Sequence, residues 1–204
     1  MRRRTLAIVA LLALAFAILT ALALRSGVLK PVASQTAAVG GPFQLVDQSG
    51  RTVDQRLLKG KWSAVFFGFT HCPDVCPTTL FALGEAEKTL GGDAKDFQTV
   101  FISVDPERDT AKLIGDYLAN PAFPKKVWGL TGTPEQVAAA AKAYYVYYRK
   151  AGDGPEYNVD HSTITYLMNP RGELACVIQH GATPGEIAGK VRTAMKTGSG
   201  ATSC

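Results

Sequence analysis

Ten residues, Gly68-Phe69-Thr70-His71-Cys72-Pro73-Asp74-Val75-Cys76-Pro77, constrain this chain more than any other stretch, because of what flanks them. Before them runs Ala64-Val65-Phe66-Phe67, apolar throughout and bulky, which reads as a buried strand. After them, Leu80, Phe81, Leu83 and Leu90 recur at helix-like spacing across Thr78 to Leu90. Two cysteines therefore sit on a strand-to-helix turn. Pro77 suits the first helical position, which puts Cys76 at or near the N-cap. The unpaired N–H groups and positive dipole end there favour an anionic sulfur and lower thiol pKa. With three residues between them, the cysteines can bridge to each other or close on one metal ion. A packed apolar pair or a plain structural disulfide is the alternative, and the proline-flanked loop at a helix start argues against it.

The chain has 204 residues, enough for one domain with a sizeable core plus an appendage. Its net charge of +5 invites a nucleic-acid reading, but the location of the charge removes it. Arg2, Arg3, Arg4, Arg25 and Lys30 all precede Asp47, the first acid, and the remainder carries 17 basic and 17 acidic residues. The folded part is neutral, so the basic excess speaks of membrane topology and no nucleic-acid partner is expected. Leu6 to Leu24 is free of charge. As a helix that run covers roughly 28 Å, close to the ~30 Å hydrocarbon thickness.

The arginines should stay cytoplasmic and the rest should face outward. A cleaved signal peptide is the rival, since Ala21-Leu22-Ala23 resembles a cleavage site. The apolar run exceeds the usual ~7–15-residue signal core, which favours an uncleaved single-pass anchor. Residues 1–25 are thus read as anchor, 26–41 as a tether with Pro31 and Gly40-Gly41, 42–197 as the domain and 198–204 as a frayed tail.

Within the domain, Phe43 to Asp47 and Arg51 to Val53 read as a hairpin, and Phe97 to Val104 as a second apolar strand. Ala111 to Leu118 is a short helix and Val127 to Leu130 a short strand. Thr133-Pro134-Glu135-Gln136 and Thr183-Pro184-Gly185-Glu186 are capping patterns that start two further helices. Tyr144 to Tyr148 is β-prone and suits an edge strand, and Lys150 to Pro155 reads as loop. Ser162 to Met168 and Glu173 to Gln179 form a hairpin about Asn169-Pro170-Arg171-Gly172. Alternating strands and helices with hairpins at both ends imply an α/β layer fold around a central sheet.

Two thiolates suit Cu(I), Zn(II) or an iron–sulfur centre, and two cysteines alone do not close a tetrahedral zinc site. A third donor must come from His71, His161 or His180. His71 adjoins Cys72 and would make a cramped chelate. His180 follows a strand, while His161 immediately precedes the apolar strand from Ser162. If that strand runs beside the cysteine strand, the His161 imidazole reaches the cysteine loop. Cys72, Cys76 and one histidine would then make a three-coordinate site suited to Cu(I) and adaptable to Cu(II). Asp74 and Asp160 are candidates for orienting the imidazole or loading negative charge beside the metal, with a solvated role equally open.

Gly68 to Pro77, Ser103-Val104-Asp105-Pro106-Glu107-Arg108-Asp109-Thr110 and Tyr157-Asn158-Val159-Asp160-His161-Ser162 resemble the signature segments of the Sco/SenC family, in order and spacing, over roughly residues 40 to 196. The resemblance implies a membrane-anchored protein with a thioredoxin-like fold, a central mixed sheet flanked by helices. It implies a non-enzymatic copper metallochaperone that assists assembly of the dinuclear copper site of cytochrome c oxidase. Cys72, Cys76 and His161 match the family's copper ligands. Where redox-active thioredoxin relatives face their cysteines with a cis-proline, this chain carries Asp160-His161.

The implied partners are the copper-bearing oxidase subunit and a thiol reductant or upstream copper donor. The implied location is the bacterial inner membrane, with the domain in the periplasm. A second hypothesis uses Cys72 and Cys76 as a redox-active disulfide, in a thiol–disulfide reductase that keeps the oxidase subunit's cysteines reduced. A peroxiredoxin-type peroxidase ranks third. Cys176 is expected to pack within a strand, and Cys204 matches no motif.

Overall fold

A computed structural model describes residues 2–25, 39–154 and 156–198. The chain divides into two compact units, Met1–Ala37 and Ala38–Cys204. The first contains helix α1, Arg2–Arg25, whose segment Thr5–Leu22 is long and apolar enough to cross a membrane and has none of its surface buried in protein. An apolar helix with no protein cover is what a membrane span requires.

Among the described residues, the second unit has nine strands, β1 Gln44–Asp47, β2 Thr52–Asp54, β3 Trp62–Gly68, β4 Phe97–Ser103, β5 Val127–Thr131, β6 Tyr148–Ala151, β7 Asn158–His161, β8 Thr165–Met168 and β9 Leu174–Ile178. Its helices are α2 Val75–Leu90, α3 Ala111–Leu118, α4 Pro134–Ala143 and α5 Pro184–Thr197. Seven strands form one mixed sheet in the order β2-β1-β5-β4-β3-β8-β9, and β6 pairs with β7 apart from it. This is a thioredoxin-like α/β fold. Strands β3, β4 and β5 are parallel, while β8 runs antiparallel to β3. Every residue of β3 and β4 is buried. Both lie in the middle of the sheet, covered on both faces, and this is why their sequences show no alternation. The capping boxes expected at Thr133/Gln136 and Thr183/Glu186 are formed.

Several local readings are corrected. Helix α2 begins at Val75 with Asp74 as N-cap, so Pro77 is its third residue and Cys76 its second. No first-turn N–H has an intrahelical acceptor, so proline is tolerated at the third position as well as the first. Lys150 and Ala151 belong to β6 and not to a loop, and His161 closes β7 instead of opening the sheet strand, which starts at Thr165. The β6–β7 hairpin pairs Tyr148 with His161 and Ala151 with Asn158. Its four-residue strands are half exposed and mostly polar, so no apolar period announces them. Tyr148 does lie in that hairpin, but Tyr144 is fully buried at the end of α4, and Tyr145 has a left-handed φ of +55°.

Candidate metal centre

The sheet register assembles the site. Thr165, the first residue of β8, pairs with Phe66 near the end of β3. Because these strands are antiparallel, the chain before Thr165 and the chain after Gly68 emerge at the same end of the sheet. That brings together residues 85 positions apart: Nε2 of His161 lies 3.6 Å from Sγ of Cys76. The sulfurs of Cys72 and Cys76 and a ring nitrogen of His161 all lie within 4.8 Å of one another. Gly68 leaves room for this approach, because a Cβ there would sit 2.7 Å from Cys76 Sγ.

Hydrogen bonds fix the state of the imidazole. Nδ1 of His161 lies 2.9 Å from the carbonyl oxygen of Ser162. A carbonyl only accepts, so Nδ1 carries the proton and Nε2 turns its lone pair to the sulfurs. The edges of Phe69 and Phe66 confine the ring, with centroids 5.7 and 6.3 Å away.

The two thiols are driven apart. Cys72, half-buried, is lowered to about 4, chiefly by a hydrogen bond from the Cys76 thiol, against the opposing effect of burial. The backbone N–H groups of Cys76 and Asp74 add to the lowering, the first of them at 3.4 Å from Cys72 Sγ. Cys76, fully buried, is pushed up by its bond to Cys72, by burial and by the charge on Cys72. The pair thus holds one negative charge at neutral pH, on the more accessible sulfur.

Sequence reasoning assigned no role to the residues that hold this arrangement in place. The buried carboxylate of Asp109 accepts the Thr70 N–H at 3.0 Å, the Thr70 hydroxyl at 2.6 Å and the Ser103 hydroxyl at 2.6 Å. It thereby ties the cysteine loop to the β4–α3 connection. Asp105, also buried, accepts from the Tyr157 hydroxyl and from Nε of Arg108. The Tyr157 ring lies between two cations, 3.6 Å from the Arg108 guanidinium carbon and 3.8 Å from Nζ of Lys150. Tyr157 immediately precedes β7, so this contact seats the strand that carries His161. The segment Ser103–Thr110 therefore holds both halves of the site; the sequence marked it as a stretch that resembles a family signature but gave its individual residues no role.

The other candidate donors lie elsewhere. Asp74 caps α2 and its carboxylate accepts from the Thr78 hydroxyl at 3.2 Å, while Asp160 pairs across the hairpin with Arg149 at 3.0 Å. Neither carboxylate is on the imidazole. His71 is exposed, beside Thr70 Oγ1 at 3.2 Å and Asp109 at 3.8 Å. With Asp105 and Asp109 it forms a second group of close donors, but both carboxylates are already committed to hydrogen bonds. His180 contacts Thr79 Oγ1 at 3.4 Å. Cys176 is buried in β9, as expected of a packing residue, but is disulfide-bonded, not a free thiol. Cys204 lies outside the described residues.

Comparison with known proteins agrees with this geometry. The SCO1/SenC family model matches residues 31–196. The chain is 46% identical over 136 residues to the mitochondrial SCO1 homolog 1 of Arabidopsis thaliana, covering 66% of this chain and 40% of that protein. It is 43% identical over 166 residues to protein SenC of Rhodobacter capsulatus, covering 79% of this chain and 73% of that one. The crystal structure of Arabidopsis thaliana ScoI with copper bound superposes with a TM-score of 0.74 at 38% identity, over 78% of this chain and 99% of that one. The chain thus spans well under half of the plant relative's length but nearly all of the solved copper-bound domain. With the family model matched over residues 31–196, well over half of the chain, the chain belongs to the SCO1/SenC family.

Proposed function

We propose that this protein is a copper chaperone that carries one copper ion on Cys72, Cys76 and His161 and delivers it to the dinuclear copper site of a cytochrome c oxidase subunit. The observation that carries the reading is the convergence of two sulfurs and one imidazole nitrogen within 4.8 Å. Soft thiolates select Cu(I), and the added imidazole makes the set serviceable for Cu(II). The chemistry of the residues supports uptake and release. Cys72 is already a thiolate, so only the Cys76 proton must leave when the second sulfur binds. Nε2 of His161 needs no deprotonation, because its proton sits on Nδ1 against the Ser162 carbonyl. Cys72 is only half-buried, which leaves an incoming ligand from a partner a sulfur to displace first.

The working place we infer is the bacterial inner membrane, spanned once by α1, with the domain in the periplasm. Three arginines directly before the apolar run, against Arg25 and Lys30 between it and the domain, support this orientation.

The free, low-pKa thiolate of Cys72 beside the Cys76 thiol also supports a second reading, a thiol–disulfide reductase acting on the same subunit. Cys72 would attack a partner disulfide sulfur, forming a mixed disulfide and releasing one partner thiolate. Cys76, losing its proton, would then attack Cys72, release the second partner thiolate and leave a Cys72–Cys76 disulfide for a thiol reductant to reopen.

His161 separates the two readings, since reduction has no use for its nitrogen. A strain carrying only His161→Ala, grown at limiting copper, should lose oxidase activity while the purified variant keeps its dithiol reactivity. Full oxidase activity in that strain would remove the chaperone reading. In the purified protein, copper should bind at one per domain, and the Cu(II) form should show a thiolate charge-transfer band. His71→Ala and His180→Ala should retain that band, and oxidation of the two thiols to a disulfide should abolish it.

A further inference from the structure

The parallel topology that places the metal centre at one end of the sheet places a different chemistry at the other. Lys61, Lys95 and the Lys125-Lys126 pair stand at the starts of β3, β4 and β5. The metal centre follows the far ends of the same strands, roughly 23 Å away for seven residues at ~3.3 Å each. Together with Arg51, these side chains line an open cleft of ≈ 390 Å³ floored by Trp128, and no carboxylate lines it.

Two of the lysines are fixed by backbone carbonyls, Lys61 on Lys95 at 2.8 Å and Lys126 on Ala94 at 2.7 Å. Arg51 pairs with Asp47 and lies 5.9 Å from the Trp128 ring, and Lys61 lies 3.6 Å from Asp96. Lys95 and Lys125 form no ion pair among the described residues and are exposed. From residue 31 onward the chain has equal numbers of basic and acidic residues, so gathering five cations in one cleft polarises a neutral domain.

We infer that this basic cleft docks the domain on anionic phospholipid headgroups of the membrane in which its own helix is anchored, leaving the metal centre on the face turned away. The inference rests on the membrane anchorage proposed above. Residues 26–38 separate the helix from the described domain, and thirteen residues span at most about 45 Å even when extended. Such a tether keeps the cleft at high effective concentration next to the headgroups, so weak contacts suffice. Clustered lysines are attracted to an anionic surface only within about a Debye length, ~10 Å at 0.1 M salt. A second, electrostatic signal added to a hydrophobic anchor fixes orientation, which a single point of attachment cannot do. The cysteine loop would then be held ready for a partner and not pressed against lipid.

The test uses the full chain in lipid nanodiscs containing a trace of lipid with a headgroup-bound gadolinium chelate. Paramagnetic broadening is read at the Trp128 indole N–H and at the His161 ring. In discs containing phosphatidylglycerol, Trp128 should broaden several-fold more than His161. In phosphatidylcholine discs, or at ~0.5 M salt where screening shortens to a few ångströms, the two should broaden alike. The combined Lys95→Gln, Lys125→Gln and Lys126→Gln variant should lose the difference, and the salt titration of the unsubstituted chain reads the same electrostatics without any substitution. Equal broadening at both ends in anionic discs would overturn docking while leaving the anchor intact. A chain that stays out of the discs would instead remove the anchor, and docking with it. Release of the contact by sub-millimolar inorganic phosphate would reassign the cleft to a soluble anion and overturn the lipid assignment.

Discussion

At the scale of single residues, the site depends on an asymmetry between two cysteines that reverses the sequence reading, which put the favoured anionic sulfur at the helix start, on Cys76. Cys72 is half-buried and depressed to about 4, first by the hydrogen bond from the Cys76 thiol, whereas Cys76 is fully buried and raised. Iodoacetamide should therefore modify Cys72 first in the metal-free, reduced protein. Because a depressed pKa keeps the thiolate present as pH falls, its rate should be nearly flat from pH 7 down to about 5 and drop through about 4. Replacing Cys76 with Ala removes the largest lowering influence, so the same profile should move upward toward the ordinary thiol range. A Cys72 rate that instead climbs steadily between pH 7 and 9 in the unsubstituted chain would contradict the asymmetry. Gly68→Ala tests the packing side, since its Cβ would meet Cys76 Sγ at 2.7 Å and must displace either the sulfur or the strand. Copper binding should fall in this variant although no donor is lost.

At the scale of elements, the β4–α3 connection holds the cysteine loop and the histidine hairpin in register. Asp109→Asn keeps the size of the side chain but turns one of its acceptor atoms into a donor facing a donor. Losses of this kind behind a ligand commonly cost ~10–100-fold in metal affinity, and that is the drop expected in competition with a Cu(I) chelator. A merely structural role would lower the melting temperature and leave the Cu(II) charge-transfer band unmoved, whereas a positioning role shifts the band. Tyr157→Phe keeps the ring between Arg108 and Lys150 but removes a buried partner of Asp105. Stability should fall by about 1–3 kcal/mol, with faster amide exchange concentrated in β6 and β7. Unchanged exchange in that hairpin would show that Tyr157 does not seat it.

At the scale of the whole molecule, the apolar helix and the domain form separate units, each with its own physical logic. Among the described residues, both hydrophobic clusters of the domain draw on positions between Val39 and Met195. Expressed from residue 39 onward, the domain should be soluble and bind copper as the full chain does. A reporter fused at the C-terminus of the full chain should behave as periplasmic, and cytoplasmic behaviour would reverse the proposed topology.

The sequence by itself determined the parts whose signals are local. The charge-free run of α1, the apolar strands β3 and β4, the capping boxes of α4 and α5 and the cysteine turn are each written in consecutive residues. The three ligand candidates were legible too, through motif resemblance and the condition that the strand after His161 lie beside the cysteine strand. Only the tertiary structure decided how that condition is met, because the antiparallel pairing of β8 with β3 is a long-range choice that no window of sequence contains. The same holds for the β6–β7 hairpin, whose short polar strands have no apolar period to read. Asp109 and Tyr157 were visible as residues but not as fixtures, since a buried carboxylate is identified by its donors, and those lie 39 and 52 positions away along the chain.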